Sequence, residues 1–250
     1  MLTAQRRDLL LERLRRDGRL VARDVAAELG VSDDMIRRDL RELAGAGLVQ
    51  RVYGGALPVS PAVADYSART ALAGNSKQRV AAAAAGLVTP GAVVVLDGGT
   101  TALAVVDALP RDLRATVVTH SPTIAVALVG HLGIEVEILG GRLFRHSLVA
   151  YGASAVEAAA GVRADLFLLG VTGVQAEAGL TTGDREEAAM KRALAARAGD
   201  TYVLASSEKI GAASPFEVLP IDAVSGIVTD AEDGPGLAAL VESGAPIVQA

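Results

Sequence analysis

The chain has 250 residues, enough for one or two domains. Apolar residues make up 51%, charged residues 21% and aromatics 3%, with no Trp and no Cys; this excludes disulfides, thiol nucleophiles, thiolate metal sites and an aromatic-rich binding face, and leaves Ala, Val, Leu and Ile to fill the core. The net charge of −5 conceals a split: residues 1–55 carry 11 Arg, no Lys and 9 acidic residues, a net of +2, which leaves −7 on the rest.

Thr3 is positioned to cap a first helix, with Leu10, Leu11 and Leu14 at helical spacing and Gly18 as its stop. Val21, Val25, Ala26 and Leu29 give a second short helix ended by Gly30. Ser32 then caps a third, with Asp33 and Asp34 in its first turn, where the helix dipole favours negative charge. Ile36, Leu40 and Leu43 form its apolar back, leaving Asp33, Asp34, Arg37, Arg38 and Arg41 outward. Residues 48–53 read as a strand stopped by Gly54 and Gly55. The order helix, helix, tight turn, helix, strand matches a helix-turn-helix. A plain three-helix domain with solvated arginines is the alternative. Guanidinium groups one turn apart in front of an apolar back favour entry into a major groove, where Arg contacts guanine or phosphate.

Residues 56–61 read as a linker, with Pro58 and Pro61 and no periodicity. An Ala-rich helix is expected around 73–88, ending at Pro90 and Gly91. Short apolar strands follow at 92–96, 116–119, 135–139, 166–169, 202–205 and 226–228, with helical stretches between most of them. Such alternation predicts a parallel sheet covered on both faces, hence an α/β domain to the chain's end. No basic stretch followed by an apolar run opens the chain, and no apolar run reaches about 18 residues. Neither a secretory signal nor a membrane span is expected, and the chain reads as soluble and cytoplasmic.

Ligands of open parallel sheets bind at the carboxyl ends of strands. Here these ends carry Asp97, Gly98, Gly99, Thr100 and Thr101; Thr119, His120 and Ser121; Gly140, Gly141 and Arg142; Gly170, Thr172 and Gly173; and Ser206 to Lys209. A glycine at one such turn is ordinarily a matter of backbone geometry. Five ends together predict a pocket for a small, anionic, hydroxylated ligand such as a phosphorylated sugar. The lysine of a Walker A loop is missing, as is the dinucleotide Gly fingerprint, so no nucleotide cofactor is expected. His120, His131 and His146 lack metal-ligand spacing, so no metal is expected either. His131 reads as a surface residue, His146 as a loop residue and His120 as a pocket candidate. Glu187 and Lys191, at i, i+4, fit an ordinary surface pair.

Residues 31–40, which contain Ile36, Arg37, Arg38, Asp39 and Leu40, are followed by Leu43, Gly47, Leu48, Arg51, Gly54, Gly55 and Ala56. This stretch closely resembles the DeoR family of bacterial sugar-metabolism repressors. The likeness continues through Lys77, residues 96–101, residues 118–121, Gly140, Gly141, Gly179 to Thr181, Glu187, Lys191 and Lys209 to Gly211, so it spans nearly the whole chain. It implies an α/β protein: a winged helix-turn-helix at 1–57, a linker at 58–72, and an effector-binding sensor domain at 73–250 similar in fold to ribose-5-phosphate isomerase.

The recognition helix would be 32–44. DNA contacts would come from Ser32, Asp34, Met35, Arg37, Arg38 and Arg41, and from Arg51 and Tyr53 in the wing. A phosphorylated sugar would meet Asp97 to Thr101, Thr119 to Ser121, Gly140 to Arg142, Gly173, Glu187, Lys191 and Lys209, and would weaken binding to a double-stranded operator. A homodimer or homotetramer follows, because half-sites are read in pairs. An activator would present the same helix. Met35 stands where the family usually has Thr, His120 where it has Asn, Thr172 and Ser206 where Asp is usual, and Glu208 where Ser is usual. These departures imply an altered effector or weakened sensing. They also remove carboxylates that the alternative function, a sugar-phosphate isomerase with an appended DNA-binding domain, would need as acid and base. The chain is therefore expected to be a regulator and not an enzyme.

Overall fold

The computed structural model of the chain describes residues 2–63 and 66–250; residues 64–65 of the expected linker lie outside them. The chain begins with α1 (Thr3–Asp17), β1 (Leu20–Val21), α2 (Ala22–Leu29), α3 (Asp33–Gly45), β2 (Gln50–Val52) and β3 (Gly55–Leu57). Leu10, Leu14, Val25, Ile36, Leu40 and Leu43 meet in one core, so the helical spacing of these apolar residues located all three helices. Leu2, not Thr3, holds the cap position of α1, and its N–H donates to Gln5 Oε1 at 3.2 Å. Gly18 and Gly30 end α1 and α2 in the left-handed conformation.

The expected strand at 48–53 narrows to β2, and Gly54 and Gly55 do not stop the pattern. They turn it into a hairpin in which β3 pairs with both β1 and β2. Gly55 allows that closeness, because a Cβ there would lie 1.7 Å from the Leu20 carbonyl oxygen.

The segment after the hairpin is not a free tether. Val59 bridges Ala213, and the buried Ser60 hydroxyl donates to the Thr172 carbonyl. A short 3-10 turn (Pro61–Val63) and a helix, α4 (Tyr66–Ala71), follow. Pro58 and Pro61 flank this docked stretch, and its docking partners are more than 100 residues away in sequence, where local pattern carries no signal of them.

The larger unit comprises α5 (Gly74–Ala85), β4 (Val93–Leu96), α6 (Thr100–Ala108), β5 (Ala115–Thr119), α7 (Pro122–Ala127), β6 (Ile134–Ile138), β7 (Arg142–Phe144), β8 (Val149–Tyr151), α8 (Ala153–Ala160), β9 (Ala164–Gly170), β10 (Gly173–Gln175), β11 (Gly179–Thr182), α9 (Arg185–Ala195), β12 (Ala198–Leu204), β13 (Phe216–Leu219), β14 (Gly226–Thr229), α10 (Pro235–Glu242) and β15 (Ile247–Gln249). Seven strands form one parallel sheet in the order β15-β14-β12-β9-β4-β5-β6. The six expected strands all lie in it, and β15 adds an edge.

Alternation along the strands sends Val95, Phe167, Leu169 and Val203 to the face under α8 and α9. Val94, Leu96, Leu166, Leu168 and Leu204 face the other way, under α5 and α6. The sheet is thus covered on both sides by aliphatic layers. Two smaller pieces were not anticipated: the antiparallel sheet β10-β11-β13 and the hairpin β7-β8. Among the described residues, no helix is long and apolar enough to cross a membrane.

Candidate functional site

Two sites emerge from this frame, one on the small domain and one at the top of the parallel sheet. On α3 the Ser32 hydroxyl accepts the Met35 N–H at 3.3 Å, which fixes where the helix begins. Ile36, Leu40 and Leu43 turn inward, so Asp34, Met35, Arg37, Arg38 and Arg41 are exposed. Asp33 accepts from Arg37 Nε at 2.6 Å, and this hydrogen bond raises the Arg37 pKa further. Asp39 has a different role: it is buried and accepts from Arg6 Nε at 2.5 Å and Arg7 Nε at 3.2 Å, locking α3 to α1. Arg51 projects from β2, and Tyr53 is fully exposed at the hairpin tip. The helix face and hairpin tip therefore present guanidinium and phenol groups on an apolar scaffold, as groove and phosphate contact requires.

The second site is a cavity over the carboxyl ends of β4, β9 and β12. Its floor is the start of α6, where Gly98, Gly99, Thr100 and Thr101 line it. Such a helix start offers free N–H groups and the positive end of the dipole to an anion. Lys191 and Glu187 come from α9, Lys209 and Glu208 from the turn after β12, and Lys77 from α5. Gly170 to Thr172 at the end of β9 and Thr182 at the end of β11 line it too, and Ala62, Arg69 and Leu72, from the segment joining the two domains, close the remaining side. The cavity volume is about 30 Å³, room for about two waters.

Charge beneath and around the floor is organised by Asp97. It is completely buried and accepts from Lys191 Nζ at 2.5 Å, Gly170 N at 2.8 Å and Gly98 N at 2.7 Å. His120 Nε2 lies 2.7 Å from its other side, and His120 Nδ1 lies 2.7 Å from the Ala150 carbonyl. Burial alone would raise the Asp97 pKa, but Lys191 and His120 hold it well below the usual carboxylate range. Burial likewise opposes the charge on Lys191, yet Asp97 and Glu187 raise its pKa. Glu187 accepts from the Thr182 hydroxyl and lies 3.7 Å from Lys191 Nζ. Glu187 and Lys191 are therefore not a surface pair: both are buried.

Lys209 is different, because no ion pair holds it among the described residues. Its ammonium donates to Leu204 O at 3.1 Å and Thr101 Oγ1 at 3.3 Å, and burial lowers its pKa to about 8. Burial also lowers the pKa of Lys77, whose ammonium donates to the Arg69 carbonyl. The nearby Glu208 charge offsets burial only in part at both lysines, and an anion entering the cavity would add to it.

This predicts a pH dependence with a definite sign. Below pH about 8 the folded and unfolded chains both carry the Lys209 proton; between about 8 and the ordinary 10.5 the unfolded chain binds more. Stability of the ligand-free protein should rise across that window, while affinity for a phosphate ester should fall as pH passes 8. Lys209→Met should remove both trends and raise the ligand-free melting temperature, as read by calorimetry and titration at several pH values.

The other expected ligand residues are placed elsewhere. Thr119, His120 and Ser121 are buried behind the floor, where Thr119 Oγ1 accepts the Ser121 N–H and Ser121 Oγ donates to Leu148 O. Gly140, Gly141 and Arg142 follow the edge strand β6, away from β4, β9 and β12. Gly141 packs on Tyr151 and Ala155, and the Arg142 guanidinium lies over the Tyr151 ring at 5.3 Å. Gly173 lies in β10, where a Cβ would be 2.4 Å from the Ala212 carbonyl oxygen. His131 is buried, not at the surface, and His146 sits in the β7-β8 turn, accepting from Arg69 through its carbonyl at 2.7 Å. Arg69, Lys77 and Thr182 escaped notice as lining residues because none follows a strand of the main sheet.

Comparison with known proteins places both units. The DeoR-like helix-turn-helix domain family matches residues 6–62, and the DeoR C terminal sensor domain family matches residues 73–231. The chain is 33% identical to the HTH-type transcriptional regulator GlpR of Haloferax volcanii, over 92% of this chain and 91% of that protein. It is 31% identical to the HTH-type transcriptional repressor GlcR of Bacillus subtilis, over 88% of this chain and 86% of that protein. The ribose 5-phosphate isomerase of Methanocaldococcus jannaschii aligns with 54% of this chain and 54% of its own, at 18% identity and a TM-score of 0.41. The two matched families, together covering most of the chain, are those of DNA-binding transcriptional regulators and not of enzymes. With its helix-turn-helix and its sensor unit both matched, the chain belongs to the DeoR family of transcriptional regulators.

Proposed function

We propose that this regulator represses an operon of carbohydrate metabolism in the cytoplasm and leaves its operator when a phosphorylated sugar fills the cavity. Residues 1–57 read the DNA, 58–72 form a strap, and 73–250 sense the ligand. Ser32, Asp34, Met35, Arg37, Arg38, Arg41, Arg51 and Tyr53 make the DNA surface. Gly98 to Thr101 hold the phosphate with Lys209, while Lys77, Arg69, Glu187 and Lys191 complete the pocket. A homodimer or homotetramer pairs the helices on two half-sites.

The observation that carries this reading is the strap. It leaves the last strand of the DNA-reading domain at Leu57 and within a few residues walls the cavity with Ala62, Arg69 and Leu72. A sugar phosphate needs more room than the cavity's volume of about 30 Å³ offers, and we take the strap to be the wall that yields. Contacts that hold the strap include the Val59 bridge, the Pro58 carbonyl under Ala213 N, the Ser60 hydroxyl on Thr172 O, Arg69 Nη2 on His146 O at 2.7 Å and the Arg69 carbonyl under Lys77 Nζ. A ligand that binds better with the strap displaced shifts the orientation of the DNA-reading domain by that difference in affinity.

The test is fluorescence anisotropy with DNA from upstream of the regulator's own gene, with and without a panel of sugar phosphates. Binding without ligand, weakened by those compounds that also raise the melting temperature, is the expected result. Operator affinity indifferent to every stabilising compound would overturn it. Ser60→Ala should leave ligand stabilisation intact and change the ligand's effect on DNA affinity by about fivefold.

A further inference from the structure

Glu208 lies in the short turn Ser207–Lys209 that follows β12 and forms part of the cavity wall. One of its oxygens, Oε1, accepts from the Ser206 hydroxyl at 2.7 Å. The other, Oε2, is buried and has no hydrogen-bond partner among the described residues. Lys209, beside it in sequence, donates elsewhere, to Leu204 O and Thr101 Oγ1. Glu187, the second carboxylate of the cavity, is occupied by Thr182. No described residue thus supplies a donor to this carboxylate oxygen, and leaving it unpaired is costly.

We propose that Glu208 is the specificity-determining residue of the cavity: it requires a phosphorylated ligand that offers a hydroxyl, and it rejects one that presents a carboxylate at that position. The inference rests on the phosphorylated-ligand reading above and narrows it. A hydroxyl donates to Oε2 and completes its coordination. A ligand carboxylate has no proton to give and meets like charge in a partly buried site. An ammonium would satisfy Oε2 but would enter a cavity already lined by Arg69, Lys77, Lys191 and Lys209. The neutral donor is therefore the best fit.

Two ligand pairs isolate the effect, because each differs only in a hydroxymethyl group against a carboxylate: glycerol 3-phosphate with 3-phosphoglycerate, and glucitol 6-phosphate with 6-phosphogluconate. Titration calorimetry on the full chain should show the hydroxymethyl member of at least one pair binding about ten- to a hundredfold more tightly. In Glu208→Gln that ratio should fall toward one. Were Glu208 only a counter-ion for Lys77 and Lys209, the substitution would weaken both members equally and leave the ratio unchanged, which overturns the proposal. Equal affinities in the unmodified protein, or discrimination that survives in the variant, also overturn it. If Glu208→Gln fails to melt cooperatively, Glu208→Ser provides the same ratio. Failure of inorganic phosphate and all four esters to bind the unmodified protein is a separate result: it removes the phosphorylated-ligand reading itself, and this proposal with it.

Discussion

Asp97→Ala should destabilise the sensor domain by about 3–5 kcal/mol, the cost expected for removing one partner of a buried ion pair. Asp97 and Lys191 are both essentially inaccessible, with side-chain exposures of 0% and 4%. Without the carboxylate, Lys191 would keep only the Gly170 carbonyl and a carboxylate 3.7 Å away on Glu187. The Gly98 and Gly170 N–H groups would lose their acceptor as well. These two glycines shape the cavity floor, so ligand binding should be lost before global unfolding is complete.

The double substitution Asp97→Leu with Lys191→Met separates the causes. If uncompensated charge dominates, the double variant should be more stable than Asp97→Ala, because no ion is left buried alone. Urea unfolding followed by far-ultraviolet circular dichroism provides the comparison, and a double variant no more stable than the single one would refute the charge argument. The depressed Asp97 pKa also sets the pH behaviour. Its contribution is complete above the unfolded value of 3.8 and is lost as pH falls toward the lower folded value.

This buried stack marks the limit of what the linear sequence discloses. The strands β4, β5, β9, β12 and β14 were legible because a sheet covered on both faces needs uninterrupted aliphatic runs, and helices between them follow from the parallel connection. The three helices of the DNA-reading domain were legible from one apolar stripe each. Glu187 and Lys191, by contrast, have the spacing of a solvated pair, and only Asp97, distant in sequence but beneath the same floor, makes their burial tolerable. His120 stands at a strand end and so resembled a ligand contact; its ring is consumed by Asp97 and Ala150. β10 and β11 were missed because Gly173–Gln175 and Gly179–Thr182 are short and lack both long apolar runs and clean alternation. Arg69 was hidden for the same reason as the strap: its position is decided by distant backbone, not by its neighbours in sequence.

Replacing Arg38 and Arg41 together by alanine should lower operator affinity by at least a hundredfold without changing the melting temperature measurably. Both side chains are exposed on the outward face of α3, and no ion pair engages them among the described residues. Arg37 differs because Asp33 already holds its guanidinium at 2.6 Å, so it must exchange that partner for DNA and should contribute less than its neighbours. A guanidinium contact to a base edge contributes about 1–3 kcal/mol, and the proposed two-fold assembly would lose it at both half-sites. Exposed substitutions of this kind change folding stability by about 0.5 kcal/mol or less, which separates loss of contact from loss of fold.

Salt dependence then assigns each residue. An arginine on phosphate lowers the slope of log affinity against log salt by about one unit when removed and weakens all sequences alike. An arginine on a base leaves the slope nearly unchanged and relaxes preference at one position. Anisotropy titrations at four salt concentrations, on operator and scrambled DNA, distinguish the two. Unchanged affinity and slope in the double variant would show that α3 does not face the DNA, and would move the reading surface to the hairpin that carries Arg51 and Tyr53.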